Sequence, residues 1–405
     1  MPTLATIPIA SRPTARRFAT RLALFYGAVF GLVGTQLPFF PVWLQSIGID
    51  ASWIGLITAV PSLTRFTVLP MVIGLAERRQ SLRGVMIVTA FATALGFSIL
   101  GALHHRFAVL IGFALTACAW TPLVPLADGY ALKGVVRYGL NYGPLRLWGS
   151  AAFVVGAMAC GFLVDVIAAR NLIWVIAALA ALGATVSLGL QRLDAPQAAG
   201  ASLPGANALL REPGFVAIVV AAALIQASHA AYYTFASIAW QASGMGGLTI
   251  AGLWVLGVLA EIVVFALSPR FTLSPAMLVV FGGLCAMARW LITAQEPAVE
   301  ILAVVQLMHG LTYGVTQVGT MELFVRHVPS HVMATAQGYL TACVGIATSS
   351  AGMLSGIIYA QHGRVVYYAM AAVALAGALV MWPARHRADA PYHRADQPQR
   401  AVSGG

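Results

Sequence analysis

Between Gln226 and Glu261 the sequence sets polar and ionisable side chains among neighbours that are otherwise apolar. These are Gln226, His229, Tyr232 and Tyr233, then Trp240-Gln241, a glycine-rich turn at 244–247 and, after Leu253 to Ala260, Glu261. A formal charge near the middle of a bilayer costs about 2.5 kcal/mol or more, so such groups persist where they face a partner, a cavity or a passenger. An acid at mid-span is suited to taking up and releasing a proton in each cycle, and Glu261 is the expected proton carrier. His229 shares a helix face with Gln226 and Tyr233, at offsets of three and four. That polar stripe has two readings, a satisfied core histidine or a ligand for substrate or proton.

Arg65 and Arg289 are cations far from any expected helix end. A guanidinium offers a carboxylate two parallel hydrogen bonds, so Arg65 is expected to hold an anionic passenger. Arg289 belongs either to the coupling machinery or to a structural pair with Glu261 or Glu322, since buried charges are paired. His309 and Glu322 are secondary coupling candidates, although Glu322 has Arg326 four residues on, the spacing of an ordinary helix pair. Phe39, Tyr232, Tyr233 and Trp254 offer aromatic faces to a ring. The sequence contains no glycine-rich phosphate loop and no paired histidines at metal spacing. No enzyme activity, metal or cofactor is expected, and the energy source is expected to be a proton gradient.

The elements that must position these groups are membrane helices. Of 405 residues 60% are hydrophobic and 9% charged, against about 25% charged in soluble domains. A span needs about 20 mostly apolar residues, and twelve such stretches can be marked. They lie near 21–45, 52–76, 82–103, 107–128, 144–168 and 171–191, then 214–240, 248–268, 275–294, 299–325, 332–360 and 364–383. The expected fold is an all-α membrane protein of twelve transmembrane helices in two six-helix halves, 21–191 and 214–383. A leading segment at 1–20, a linker at 192–213 and a disordered tail at 384–405 complete the chain. With the N-terminus inside, 18 of the 23 Lys and Arg fall on the inner face and 3 on the outer. That bias predicts both termini cytoplasmic. It also explains the net charge of +11 without a nucleic-acid partner. The four cysteines all lie within apolar stretches and read as small core residues.

A weak internal repeat relates the halves. Trp43-Leu-Gln-Ser-Ile-Gly48 and Trp240-Gln-Ala-Ser-Gly244 each close the first span of a half, and Arg65 and Glu261 follow the two tryptophans by nearly equal distances. Transporters built from related halves bind near the midplane between them, which places Arg65 and Glu261 around one cavity.

The run Tyr142-Gly143-Pro144-Leu145-Arg146-Leu147-Trp148-Gly149-Ser150, with Pro125-Leu126-Ala127-Asp128 before it, resembles the phenylpropionic acid porters of the major facilitator superfamily. The likeness extends to Ser228–Tyr233, Trp240-Gln241, Leu256–Glu261, Pro38-Phe39-Phe40 and Val42-Trp43-Leu44. It implies the twelve-helix facilitator fold and proton-coupled import of an aromatic acid such as 3-phenylpropionate by a monomer in a bacterial inner membrane. The chain is similar, more distantly, to lactose permease and the nucleoside symporters through Gly143-x-x-Arg146-x-x-Gly149. In the lactose permease that arginine and an acid 18 residues before it contact sugar, which here implies Arg146 and Asp128. A sugar or nucleoside symporter, binding hydroxyls through Asp128, Arg146 and Gln36, is the alternative expectation. By depth, Asp128 and Arg146 read equally as a gate pair near the inner ends of their helices.

Overall fold

A computed structural model describes residues 12–79, 81–193, 209–328 and 332–389. The described chain is a set of helices. α1 (Arg12–Ser46), α2 (Ala51–Arg78), α3 (Leu82–Leu100), α4 (Arg106–Trp120), α5 (Leu123–Tyr138), α6 (Tyr142–Val166) and α7 (Leu172–Leu188) precede residues 194–208. After them come α8 (Pro213–Ala227), α9 (Ala230–Ala242), α10 (Gly247–Leu267), α11 (Pro275–Thr293), α12 (Val299–His309), α13 (Thr316–His327), α14 (Met333–His362) and α15 (Val366–Asp389). Eleven stretches among the described residues are long and apolar enough to cross a membrane. The last, Thr335–Ala388, has 54 residues and as one rod would be about 80 Å long against a hydrocarbon layer of about 30 Å. It is divided at Gly363, whose φ of 55° admits glycine readily.

Two boundaries differ from the sequence reading. The fourth stretch runs on through α5 to Tyr138, so Asp128 lies inside a helix rather than at its end. Thr121-Pro122, where proline removes a backbone donor, divides α4 from α5. At the other end of the chain α15 continues past Pro383, so residues 384–389, expected as tail, are helical. Ala388 there is buried, and Arg385 Nη1 donates to the Trp382 carbonyl at 2.6 Å. The rest of the expected tail, most of the linker and residues 1–11 lie outside the described residues.

The repeat is visible in backbone detail. Gly48 and Gly244 close α1 and α9 with φ of 84° and 86°. In both turns a serine hydroxyl reaches back to a tryptophan carbonyl, Ser46 to Trp43 at 2.7 Å and Ser243 to Trp240 at 2.8 Å. The next helix is then capped by an acid, though from different places. Asp50 accepts from the Trp53 N–H of its own α2 at 3.2 Å, whereas α10 is capped by Asp165 of α6, which takes the Gly247 N–H at 2.8 Å.

The helices before and after residues 194–208 meet along two seams at this end of the molecule. On α2, a Cβ at Gly55 would come within 2.7 Å of the Gly352 carbonyl of α14; on α6, one at Gly161 would come within 2.5 Å of the Gly247 carbonyl. Small residues let the backbones touch there. Further along α2, Thr58 meets Thr234 of α9 at 3.1 Å, and Ser349 of α14 donates to the Ala59 carbonyl at 3.2 Å.

Candidate functional site

Beyond the seams, charged groups from both sets of helices face each other. Arg65 and Glu261 each stand 14 residues from the first residue of their helix, about 21 Å at helical rise. Arg146, in the second turn of α6, lies with its Nε 3.7 Å from Asp128 Oδ1 and its guanidinium 3.9 Å from the centre of the Phe30 ring. Asp128 is held from two further sides, by the phenols of Tyr26 at 2.6 Å and Tyr142 at 2.9 Å. Across the seam Arg146 is within electrostatic range of Glu261. One guanidinium thus pairs with an acid of its own set of helices and feels the charge of an acid from the other. Their side chains are 31% (Arg146), 33% (Asp128) and 25% (Glu261) exposed, so none is sealed from a passenger.

Behind Glu261 the site becomes dry. His309 Nε2 is 3.8 Å from Glu261 Oε2, and His309 Nδ1 is 2.9 Å from Arg289 Nη1. Guanidinium nitrogens carry only donors, so Nδ1 must present its lone pair and the imidazole proton sits on Nε2, towards Glu261. Arg289 is fully buried. It also donates to Gln306 Oε1 at 3.0 Å and Thr312 Oγ1 at 3.3 Å, and lies over the rings of Tyr232 at 4.7 Å and Trp290 at 4.6 Å. All these partners are neutral. The expected pairing of Arg289 with Glu261 or Glu322 is therefore replaced by one through His309. Glu322 pairs with Arg326 at 4.0 Å, on an exposed face.

The positioning is local in origin. Between α12 and α13 the chain makes a π-helical turn over Gly310–Val315. A Cβ at Gly310 would sit 2.6 Å from the Ala260 carbonyl, so the glycine lets this turn lie against the residue before Glu261. Such turns occur frequently at functional sites. This one stacks Tyr313 on His309, at 5.4 Å and 18° between planes. Arg65 is exposed, lies two turns from Thr58 on the same helix face, and is within electrostatic range of Tyr313.

Three comparisons bear on this arrangement. Residues 19–370 match the MFS_1 like family. The chain belongs to that family. As an MFS transporter and not an enzyme it is 34% identical to a "Probable 3-phenylpropionic acid transporter" of Escherichia coli (strain K12), over 87% of this chain and 94% of that one. It is 26% identical to a "Maltose permease" of Geobacillus stearothermophilus, over 80% and 83%. Among solved structures it resembles the nucleoside transporter NupG with a TM-score of 0.80 at 16% identity, covering 91% of this chain and 99% of that one.

Within this MFS_1 like chain the sequence-predicted residues separate into groups. Asp128, Arg146 and Glu261 converge, with Arg65 at the depth of Glu261. His229, Tyr232, Arg289 and His309 form the dry cluster. His229 is completely buried between the Ile225 carbonyl and Thr312, each at 3.0 Å. Tyr233 packs beside His229 and His309, at 6.0 and 6.3 Å, and stacks on Trp254, which is buried and donates to Ser237 rather than being offered to a ring. Gln226 turns elsewhere, to Gln317 at 3.3 Å, so the polar stripe on this helix divides. Gln36 is buried, and its Oε1 has no hydrogen-bond partner among the described residues. Phe39 is fully buried in the core rather than offered to a ring. Sequence reasoning did not single out Tyr26, Gln306, Thr312 or Tyr313 for the site. Tyr26 is 102 residues from Asp128, and no spacing rule connects such a pair. Tyr142 did stand in the motif that drew attention to Arg146.

Proposed function

We propose that this transporter imports a small aromatic carboxylate, such as 3-phenylpropionate, together with protons. The reading includes twelve crossings in two six-helix halves, 21–191 and 214–383, which rock around the central site in the inner membrane of a bacterium. Both termini are cytoplasmic, in keeping with the excess of Lys and Arg on one side, and the working unit is a monomer. The observation that carries the reading is Arg146, paired with Asp128 of its own set of helices and within electrostatic range of Glu261 of the other.

Charge balance then couples the two passengers. While Glu261 is ionised it competes for Arg146; when it takes a proton, that guanidinium is released to an incoming carboxylate. Arg65, with no ion pair among the described residues, supplies a second cation at the same depth. Proton and acid therefore enter together, and neither alone neutralises the site. His309, whose Nε2 lies 3.8 Å from Glu261 Oε2, presents its ring N–H dipole to the ionised form of Glu261. The part-exposed ring of Tyr233 suits a phenyl ring. The resemblance to the probable 3-phenylpropionic acid transporter supports the choice of acid.

The test is uptake of labelled 3-phenylpropionate into proteoliposomes under an imposed inward proton gradient. Accumulation abolished by a protonophore, and resistant to excess maltose or nucleoside, is the expected result. The second reading, a sugar or nucleoside symporter, is favoured by Gln36, whose free buried amide oxygen suits a hydroxyl donor. It predicts that a neutral glycoside or nucleoside displaces the label, or is itself accumulated, while the acid is not.

A further inference from the structure

Two helices lose their regular ladder partway along, and the two irregularities touch. α8 passes into α9 through Ser228-His229, where the His229 N–H bonds to the Gln226 carbonyl at 3.1 Å instead of to Ile225. The freed Ile225 carbonyl is taken by side chains, Ser228 Oγ at 2.7 Å and His229 Nδ1 at 3.0 Å. The second irregularity is the π-helical turn Gly310–Val315. They meet where His229 Nε2 lies 3.0 Å from Thr312 Oγ1, both residues being completely buried. Neither helix needs this bond for its own backbone. Interrupted ladders are where helices bend.

The direction of the bond follows from its surroundings. His229 Nδ1 faces a carbonyl and must carry the ring proton, so Nε2 is an acceptor and the Thr312 hydroxyl donates to it. The same oxygen accepts from Arg289 Nη1, which also donates to His309 Nδ1. The single hydroxyl proton has an alternative acceptor, the His309 carbonyl at 3.3 Å, within its own helix. Turned to His229 it joins two helices; turned to His309 it closes on one.

We propose that Thr312 is a positioning residue that makes the two bends into a single hinge, so that α8–α9 and α12–α13 flex together and move His309 against Glu261. The hinge stands on geometry alone; its consequence for transport rests on the reading of Glu261 given above. Trp290 of α11 packs edge-on to His229 at 5.0 Å and donates to Ser228 at 3.1 Å, which fixes the first bend from outside the two helices.

The test compares Thr312→Val, which removes the hydroxyl at nearly constant shape, with Thr312→Ser, which keeps it. Hydrogen–deuterium exchange of the intact protein is read by mass spectrometry in segments 225–233 and 309–317. Thr312→Val is expected to speed exchange in both segments by about fivefold, and Thr312→Ser to stay within about twofold of the parent. His229→Phe, which removes the acceptor, is expected to reproduce the two-segment pattern and stands in if the valine variant fails to fold. Acceleration confined to 309–317, or equal behaviour of valine and serine, overturns the hinge. None of these readouts depends on the substrate, so a failure of the acid-import reading is separately visible as absent 3-phenylpropionate uptake in the parent protein.

Discussion

Arg289 and Arg146 are the same residue type held in opposite ways. Arg289 is fully buried, bonded to Gln306, Thr312 and His309, and covered by two aromatic rings, with no carboxylate paired to it among the described residues. Arg146 is part-exposed, 3.7 Å from one acid and within electrostatic range of another. The first arrangement has no ready exchange partner: any movement of Arg289 leaves buried acceptors unsatisfied. The second is loose by construction, because a long contact to an exposed carboxylate gives up little when it breaks. The difference separates the cation that orders the site from the cation that can change partners.

Substitutions at the two arginines sharpen that contrast. Arg289→Gln is expected to have the largest effect, destabilising the protein by about 3 kcal/mol or more, because it disrupts a buried network. A large loss of thermal stability and of folded yield in detergent checks this; normal stability breaks the contrast from the Arg289 side. Arg146→Gln is expected to cost no more than about 1 kcal/mol of stability yet to weaken acid binding by roughly 30-fold to 1,000-fold, as loss of a charged partner does. Thermal shift and ligand titration on the same sample separate the two effects.

Glu261→Gln is expected to remove gradient-driven accumulation while leaving exchange of bound substrate, since the amide frees Arg146 permanently. Unchanged accumulation against a gradient contradicts that role. Arg65→Lys keeps the charge but loses the planar fork. Its effect is expected to be smaller, about tenfold or less in the dissociation constant for the acid. Tyr142→Phe comes last, removing one of two phenol donors to Asp128 at a cost of about 1 kcal/mol, a few-fold in affinity. An effect as large as that of Arg146→Gln would show that Asp128 itself, and not the shared guanidinium, governs binding.

How much of this was legible in the sequence depends on the range of the signal. Spans announce themselves through apolar windows, and the Trp43 and Trp240 repeat through matching turns, because both are local. The extension of the fourth stretch through Asp128, Lys133 and Arg137 is hidden by those same polar residues, and the contacts of Asp128 with Tyr26 and Tyr142 depend on other helices. The π-helical turn leaves no periodicity to read, so the face presented by His309, Thr312 and Tyr313 could not be placed. Arg146 and Glu261 were each picked out, but their proximity was not. Position along the helix points to Arg65 and Glu261 around one cavity; packing of α6 against α10 through Gly161 and Gly247 also brings Arg146 within electrostatic range of Glu261.

The most direct test is the dissociation constant of 3-phenylpropionate for the purified protein as a function of pH, measured for the parent and for Glu261→Gln, over a range in which the ligand stays ionised. In the parent, affinity should weaken as pH rises and Glu261 loses its proton, while in the variant it should stay high and flat. A variant whose affinity falls with pH just as the parent's does, or a parent with no pH dependence, would show that Arg146 is not shared between Glu261 and the passenger.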